Sequence, residues 1–167
     1  MQAQQPDTTA IELPAVIQEL LKEAVNQREG TALPPFDLRL LEGGRLSSED
    51  LAGKPTLLVF WFTTCAPCIE EIPALNALRS HFADTVNFVA ITFEEAPEVT
   101  AFLQEHPFHF QHLIDSKSYI KNLGVKLYPK TLVLDQNLVI RHIVGLPKDA
   151  TSHQQDLQTK LEGVLEQ

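Results

Sequence analysis

Cysteine is scarce in this chain of 167 residues, which contains two, Cys65 and Cys68. Two thiols cannot form a scaffold of several disulfides, and they cannot supply the four thiolates of a structural zinc or iron–sulfur site. Basic residues are also few, since 13 Lys and Arg stand against 22 Asp and Glu and give a formal net charge of −9. This balance disfavours a protein that binds duplex nucleic acid, because such a protein needs a basic face to displace counterions.

Long hydrophobic runs are absent from the sequence. The longest apolar stretch, Leu57–Phe62, is far shorter than the roughly 20 residues that cross a bilayer. The first residues, Met1–Asp7, are polar and carry neither a basic region nor an apolar core, so they do not resemble a signal peptide. The sequence leaves two interpretations open, a cytosolic protein or the processed form of an exported one.

The length predicts one folded domain, which we place at residues 31–167. Residues 1–30 are predicted to form a polar lead followed by an amphipathic helix over 14–28. Its apolar stripe is expected to pack on the same domain, with a dimer contact or a membrane tether as the alternatives. The residues of the stripe are Val16, Ile17, Leu20, Leu21, Ala24 and Val25.

Strands alternate with helices along the rest of the chain and predict an α/β fold with a mixed central sheet. An N-terminal β-hairpin and a short capped helix come first, and a second hairpin and a final helix come last. We predict strands at 36–40, 56–62, 86–92, 110–114, 131–134 and 138–144. Helices are predicted at 47–51, for about 17 residues after Cys65, at 97–105 and 119–123, and at the C-terminus, where Leu157, Leu161, Val164 and Leu165 are expected to be buried.

The two cysteines form a Cys-x-x-Cys motif at a predicted strand-to-helix junction. Cys65 at a helix N-terminus would meet unpaired N–H groups and the positive end of the helix dipole, which stabilise a thiolate. Pro67 suits the first helical turn, where its missing N–H costs nothing. Cys68 would follow one turn later and could resolve a mixed disulfide on Cys65. The motif therefore indicates a dithiol that exchanges two electrons with another protein.

Other interpretations of the two cysteines are a static disulfide, unreactive thiols or half of a metal site. A static bridge this short closes little loop entropy and would stabilise the fold weakly. A metal site needs two further ligands, and His106, His109 and His112 recur with a period that matches neither face of a strand. Redox catalysis is therefore the favoured interpretation.

Residues 60–73, Phe-Trp-Phe-Thr-Thr-Cys-Ala-Pro-Cys-Ile-Glu-Glu-Ile-Pro, resemble the active-site segment of the thioredoxin superfamily. The resemblance is to its TlpA/ResA-like, AhpC/TSA-type members, and it extends from Ala32 to Val144. It implies a thioredoxin fold and a thiol–disulfide oxidoreductase without a cofactor other than the redox-active Cys65–Cys68 pair. It further implies a periplasmic or extracytoplasmic reductase, membrane-anchored in its full-length form and acting on substrates such as apocytochrome c. Its partners would be a thiol or disulfide protein substrate and a membrane-bound or soluble thiol electron donor.

The same resemblance implies roles for individual residues. Pro129 falls on the family's cis-proline, which faces the dithiol, and Tyr128, Pro129 and Trp61 are expected to contact substrate. Glu71, three residues after the second cysteine, is expected to accept the Cys68 proton or to tune the thiol pKa. Lys130 stands where a small hydroxyl residue is common, and we expect its side chain to be exposed.

Three other function classes compete with this reading. A peroxiredoxin needs a threonine three residues before its reactive cysteine and a proline four residues further back, where this chain has Phe62 and Leu58. A copper-binding module of this fold uses a wider cysteine spacing and a downstream histidine. A non-catalytic interaction domain would show no thiol exchange. The acidic cluster Glu94, Glu95 and Glu98 is interpreted as a solvated loop and first helical turn.

Overall fold

The computed structural model describes residues 12–167, which form a seven-stranded sheet with helices on both faces. The strands are β1 (Asp37–Leu40), β2 (Arg45–Ser47), β3 (Thr56–Phe60), β4 (Asn87–Ile91), β5 (Gln111–Ile114), β6 (Lys130–Leu134) and β7 (Ile140–Val144). The helices are α1 (Ala15–Leu21), α2 (Ala66–Phe82), α3 (Ala96–Glu105), α4 (Lys117–Leu123) and α5 (Ala150–Leu165). Short 3-10 helices cover Ala24–Gln27, Ser48–Leu51 and Ala83–Thr85.

The sheet is mixed, as predicted, and its strand order is β2-β1-β5-β4-β3-β6-β7. β3 pairs in parallel with β4, which pairs in parallel with β5, and the remaining pairs are antiparallel. The predicted hairpins are confirmed in β1–β2 and β6–β7. All five residues of β3 are buried, which explains why that strand reads as an unbroken apolar run in the sequence.

The two faces of the sheet each carry a hydrophobic core. Alternate residues of β3 point to opposite faces, so Leu57 and Val59 enter one core while Leu58 and Phe60 enter the other. The first core packs against α2 and α5, and the second includes Ile120 and Leu123 of α4. Leu165, which we expected to be buried at the end of α5, is 38% exposed because it follows the last inward-facing position, Val164.

The prediction of a single N-terminal helix over 14–28 is wrong. α1 ends at Leu21, Lys22 and Glu23 are extended, and a separate 3-10 helix begins at Ala24. Within the described part of the predicted apolar stripe, Val25 is fully buried, whereas Val16 is 66% exposed. The chain leaves the helical path where the buried side chain of Glu23 reaches partners in a distant loop.

The helices of residues 12–167 are each too short or too polar to cross a membrane.

Candidate active site

The two cysteines lie where β3 passes into α2. Cys65 is the N-cap of α2, and its sulfur accepts a hydrogen bond from the backbone N–H of Cys68 over 3.3 Å. A disulfide joins the two residues, whose Cα atoms are 5.2 Å apart. Pro67 lies in the first turn of α2 and Pro73 lies inside the helix, both as predicted. Both cysteines are largely buried, and Cys65 retains the slightly greater exposure, 5% against 2% for Cys68.

The loop before Cys65 is held by Glu94. Its carboxylate accepts hydrogen bonds from the Thr63 backbone N–H over 2.7 Å and from the Thr63 hydroxyl over 2.6 Å. Thr92 also donates its hydroxyl to Glu94 over 3.2 Å. Glu94 lies in a loop, as predicted, but its half-exposed carboxylate is hydrogen-bonded, so the prediction that it is simply solvated is wrong. The parallel pairing of β3 and β4 explains the contact, because it brings the carboxyl ends of both strands, and the residues that follow them, to one edge of the sheet.

The predicted cis-proline lies at the same edge of the sheet. The Tyr128–Pro129 bond is cis, and Lys130, which follows it, pairs with Phe60 at the end of β3. Tyr128 packs edge-on against Phe62 with the ring centres 5.3 Å apart. Burial raises the pKa of Tyr128 to about 12, and the neighbouring Glu23 charge adds to the effect. Tyr128 is therefore a neutral, half-buried side chain that lies between Pro129 and the loop that precedes Cys65.

Trp61 lies in the core rather than on the substrate-facing surface that we expected. It is 1% exposed and packs against Phe102, Phe108 and His112, with ring centres 5.2–5.6 Å apart. The reason is its place one residue past the end of β3, on the side of the sheet that carries α2. Its visible contribution is to pack the active-site loop onto the sheet.

Glu71 is buried one helical turn after Cys68, on the inward face of α2. Its carboxylate lies 3.0 Å from Nε2 of His153 in α5, without the alignment of a conventional hydrogen bond. Burial raises the pKa of Glu71, and the approach of His153 offsets this in part. The sequence singled out Glu71 but not its neighbour, because residues 83–149 separate α2 from α5.

Lys130 is buried rather than exposed, contrary to our expectation. Its ammonium group donates a hydrogen bond to Glu23 Oε1 over 2.6 Å, and both side chains are almost fully shielded from solvent. Burial opposes ionisation of Glu23, but hydrogen bonds from Lys130, Leu127 and Lys126 outweigh it, so the pKa of Glu23 is lowered. A buried ion pair therefore lies next to the cis-proline, at the residue that follows it.

A groove of about 440 Å³ borders the cis-proline loop. Ile120 and Val125 are buried in its floor, and Tyr128 joins it to the dithiol side of the molecule. Three exposed lysines stand around it, and none of them forms an ion pair with any residue of 12–167. The lining residues are Phe93, Lys117, Ile120, Lys121, Gly124, Val125, Lys126 and Tyr128.

Two of the three histidines considered as metal ligands make other contacts in the structure. His106 stacks on Phe102, and His112 is buried with Nε2 2.8 Å from the carbonyl oxygen of Phe108. Burial lowers the pKa of His112. Across residues 12–167, no group of three or more His, Cys, Asp or Glu side chains converges as a metal site would require.

Comparison with known proteins places this geometry in a family. The model of the AhpC/TSA family matches residues 30–143. The chain belongs to the AhpC/TSA family. It is 36% identical to the thioredoxin-like protein YneN of Bacillus subtilis over 81% of this chain and 84% of that protein. It is 31% identical to the thiol-disulfide oxidoreductase ResA of Bacillus anthracis over 70% of this chain and 69% of ResA.

Solved structures agree on the fold of this AhpC/TSA member. A thiol:disulfide interchange protein of Chlorobium tepidum, 21% identical, superposes with a TM-score of 0.70 over 82% of this chain and 97% of that one. A secreted disulfide oxidoreductase of Mycobacterium tuberculosis, described as homologous to DsbE of Escherichia coli, is 25% identical. It gives a TM-score of 0.66 over 77% of this chain and 95% of its own. The thioredoxin fold and the ResA-like resemblance are thus confirmed, and the chain is a thiol–disulfide oxidoreductase with the Cys65–Cys68 pair.

The raised pKa of Glu71 predicts a particular pH dependence of stability. The folded protein keeps the Glu71 proton to a higher pH than the unfolded chain, whose glutamates titrate near 4.5. The stability contributed by this proton is complete below that value and is lost as the pH rises through the raised folded value. We expect Glu71→Gln to lack this loss, so that it gains stability relative to the parent as the pH rises.

Denaturant unfolding of the oxidised proteins, from below pH 4.5 upward, measures the free energy of unfolding as a function of pH. Glu70→Gln is the matched control, because Glu70 is exposed on the same helical turn and should leave the pH profile unchanged. Parallel profiles for Glu71→Gln and the parent would show that Glu71 ionises in the folded protein as it does in the unfolded chain.

Proposed function

We propose that the protein reduces disulfides in other proteins outside the cytoplasm, with apocytochrome c as one substrate class. The observation that carries the thiol exchange is the position of Cys65 as N-cap of α2, with its sulfur accepting the Cys68 N–H. That position favours the Cys65 thiolate, which is the nucleophile of thiol–disulfide exchange. The reducing direction is taken from the resemblance to the TlpA/ResA-like reductases. Kinship with proteins named ResA and with a secreted oxidoreductase supports the compartment.

The reaction is a two-electron exchange in two steps. The reduced Cys65 thiolate attacks one sulfur of the substrate disulfide, the substrate S–S bond breaks, and one substrate thiolate leaves. Cys68 then loses its proton and attacks Cys65 Sγ, which releases the second substrate thiolate and forms the Cys65–Cys68 disulfide. The substrate gains the two electrons that the protein loses. A thiol electron donor outside this chain restores the dithiol, since the chain has no third cysteine.

Glu71 is proposed to accept the Cys68 proton. It lies one turn from Cys68 on the buried face of α2, and burial raises its pKa, which makes its carboxylate a stronger base than an exposed glutamate. His153 approaches the same carboxylate and would steady its ionised form. An unchanged thiol titration in Glu71→Gln would remove this role.

Pro129 and Tyr128 are proposed to receive the substrate backbone beside the dithiol. The groove that continues from Tyr128 then takes the residues that flank the substrate cysteine. Its floor is apolar and three exposed lysines stand around it, although the chain as a whole carries a charge of −9. This combination favours a substrate segment with a large apolar side chain and acidic neighbours.

Trapping of the mixed disulfide tests the catalytic assignment. In Cys68→Ser, the resolving thiol is missing, and we expect Cys65 to accumulate a covalent adduct with a disulfide-containing protein, seen on non-reducing gels. Cys65→Ser should accumulate far less, and the double variant Cys65→Ser/Cys68→Ser none. Absence of an adduct from both single variants would contradict catalysis and favour an interaction domain.

The groove predicts a charge preference that salt should weaken. Lys121→Glu is expected to lower kcat/KM for a disulfide peptide with acidic flanks by about fivefold at low ionic strength, and less at high. Lys54→Glu makes the same charge change just before β3 begins, at the end of the strand away from the dithiol. It should leave kcat/KM almost unchanged. Equal effects of the two substitutions would show that net charge, not the groove, sets the preference.

A further inference from the structure

Glu23 is buried against the cis-proline loop and contacts it on both sides of the Tyr128–Pro129 bond. Its Oε2 accepts hydrogen bonds from the backbone N–H groups of Lys126 and Leu127 over 2.8 and 2.9 Å. Its Oε1 accepts the hydrogen bond from Lys130 Nζ over 2.6 Å. One carboxylate therefore holds the chain immediately before Tyr128 and immediately after Pro129.

Residues that follow Glu23 in the chain make further contacts with the same region. The Val25 N–H donates to the carbonyl oxygen of Gly124 over 3.4 Å, and Arg28 Nε donates to that of Leu123 over 3.0 Å. Gly124 fits so closely that a Cβ atom there would lie 2.6 Å from the Cβ of Ala24. The segment 23–28 is thus in contact with the chain from the end of α4 to the start of β6.

The charges of this pair are not what the fold needs for stability. Replacement of a buried ion pair by apolar side chains of similar volume is often neutral or stabilising. An apolar pair would leave the part-buried N–H groups of Lys126 and Leu127 without the acceptor that fixes their direction. The carboxylate oxygen, rather than the charge, is what the loop requires to keep its path.

We propose that Glu23 is a positioning residue, which sets Tyr128 and Pro129 in the arrangement that receives a substrate backbone. This inference rests on the proposed function, because it takes Pro129 as a substrate-binding residue. The N-terminal segment is then part of the substrate site rather than an accessory to it. Glu23 touches no reacting atom, so its loss should weaken the binding of protein substrates while the chemistry of the dithiol is retained.

Two double variants separate the acceptor from the charge. Glu23→Met/Lys130→Met replaces the ion pair with apolar side chains and removes the acceptor for the two backbone N–H groups. Glu23→Gln/Lys130→Met also removes both charges, but the glutamine carbonyl can still accept from those N–H groups. Since both variants lose the lysine, any effect of its charge on the cysteines is common to them.

The readouts are KM and kcat for a protein disulfide, together with the rate of reduction of the Cys65–Cys68 pair by dithiothreitol. We expect Glu23→Met/Lys130→Met to raise KM about tenfold with kcat and the dithiothreitol rate within twofold of the parent. Glu23→Gln/Lys130→Met should restore KM to near the parent value. Amide hydrogen exchange at Lys126 and Leu127 should be fast in the first variant and slow in the second.

Each contrary result has a distinct meaning. A folded Glu23→Met/Lys130→Met protein with the parent KM would overturn the positioning role while leaving the proposed function intact. Equal losses in both variants, extending to the dithiothreitol rate, would overturn it by showing a general structural effect. A parent that exchanges with dithiothreitol but reduces no protein disulfide would overturn the proposed function and this inference together.

Discussion

The position of Cys65 as N-cap of α2 is the constraint on which the rest of the site depends. It puts the first sulfur, which the disulfide joins to Cys68, at the N-terminus of α2, where unpaired backbone N–H groups favour negative charge. Three further features lie at this edge of the sheet around that sulfur. Glu94 holds the loop before Cys65, α2 is buried against α5, and the cis-proline loop forms the opposite wall.

Acidic side chains hold these elements at three places, each through a different partner, and of the three Glu71 and Glu23 are buried while Glu94 is half-exposed. Glu94 accepts from a backbone N–H and a hydroxyl, Glu71 lies against His153, and Glu23 holds two backbone N–H groups and Lys130. For Glu71 and Glu23, the direction of the pKa shift follows from burial and from these partners. Burial prevails at Glu71 and raises its pKa, whereas the hydrogen bonds prevail at Glu23 and lower it. A carboxylate whose pKa is raised therefore lies one helical turn from Cys68, and a buried ion pair lies next to Pro129.

Local sequence patterns were enough to predict most of the fold and the centre of the site. The apolar run of β3, the hairpins and the Cys-x-x-Cys junction are set by neighbours in the chain, and the resemblance added Pro129 and Glu71. The failures at Lys130, Glu94 and the 14–28 helix share a cause. Each depends on a partner distant in sequence, such as Glu23 for Lys130, and no periodicity records such a pairing. Trp61 differs, since its burial follows from the face of β3 it continues.

The proposed function requires the Cys65–Cys68 pair to be a low-potential, reducing couple. Equilibration of the protein with glutathione redox buffers, read by the fraction of disulfide, measures its potential directly. We predict a value nearer to the roughly −270 mV of thioredoxin than to the roughly −120 mV of the strong oxidant DsbA. A value close to that of DsbA would contradict the account, because a pair so poised takes electrons from protein thiols instead of giving them to disulfides.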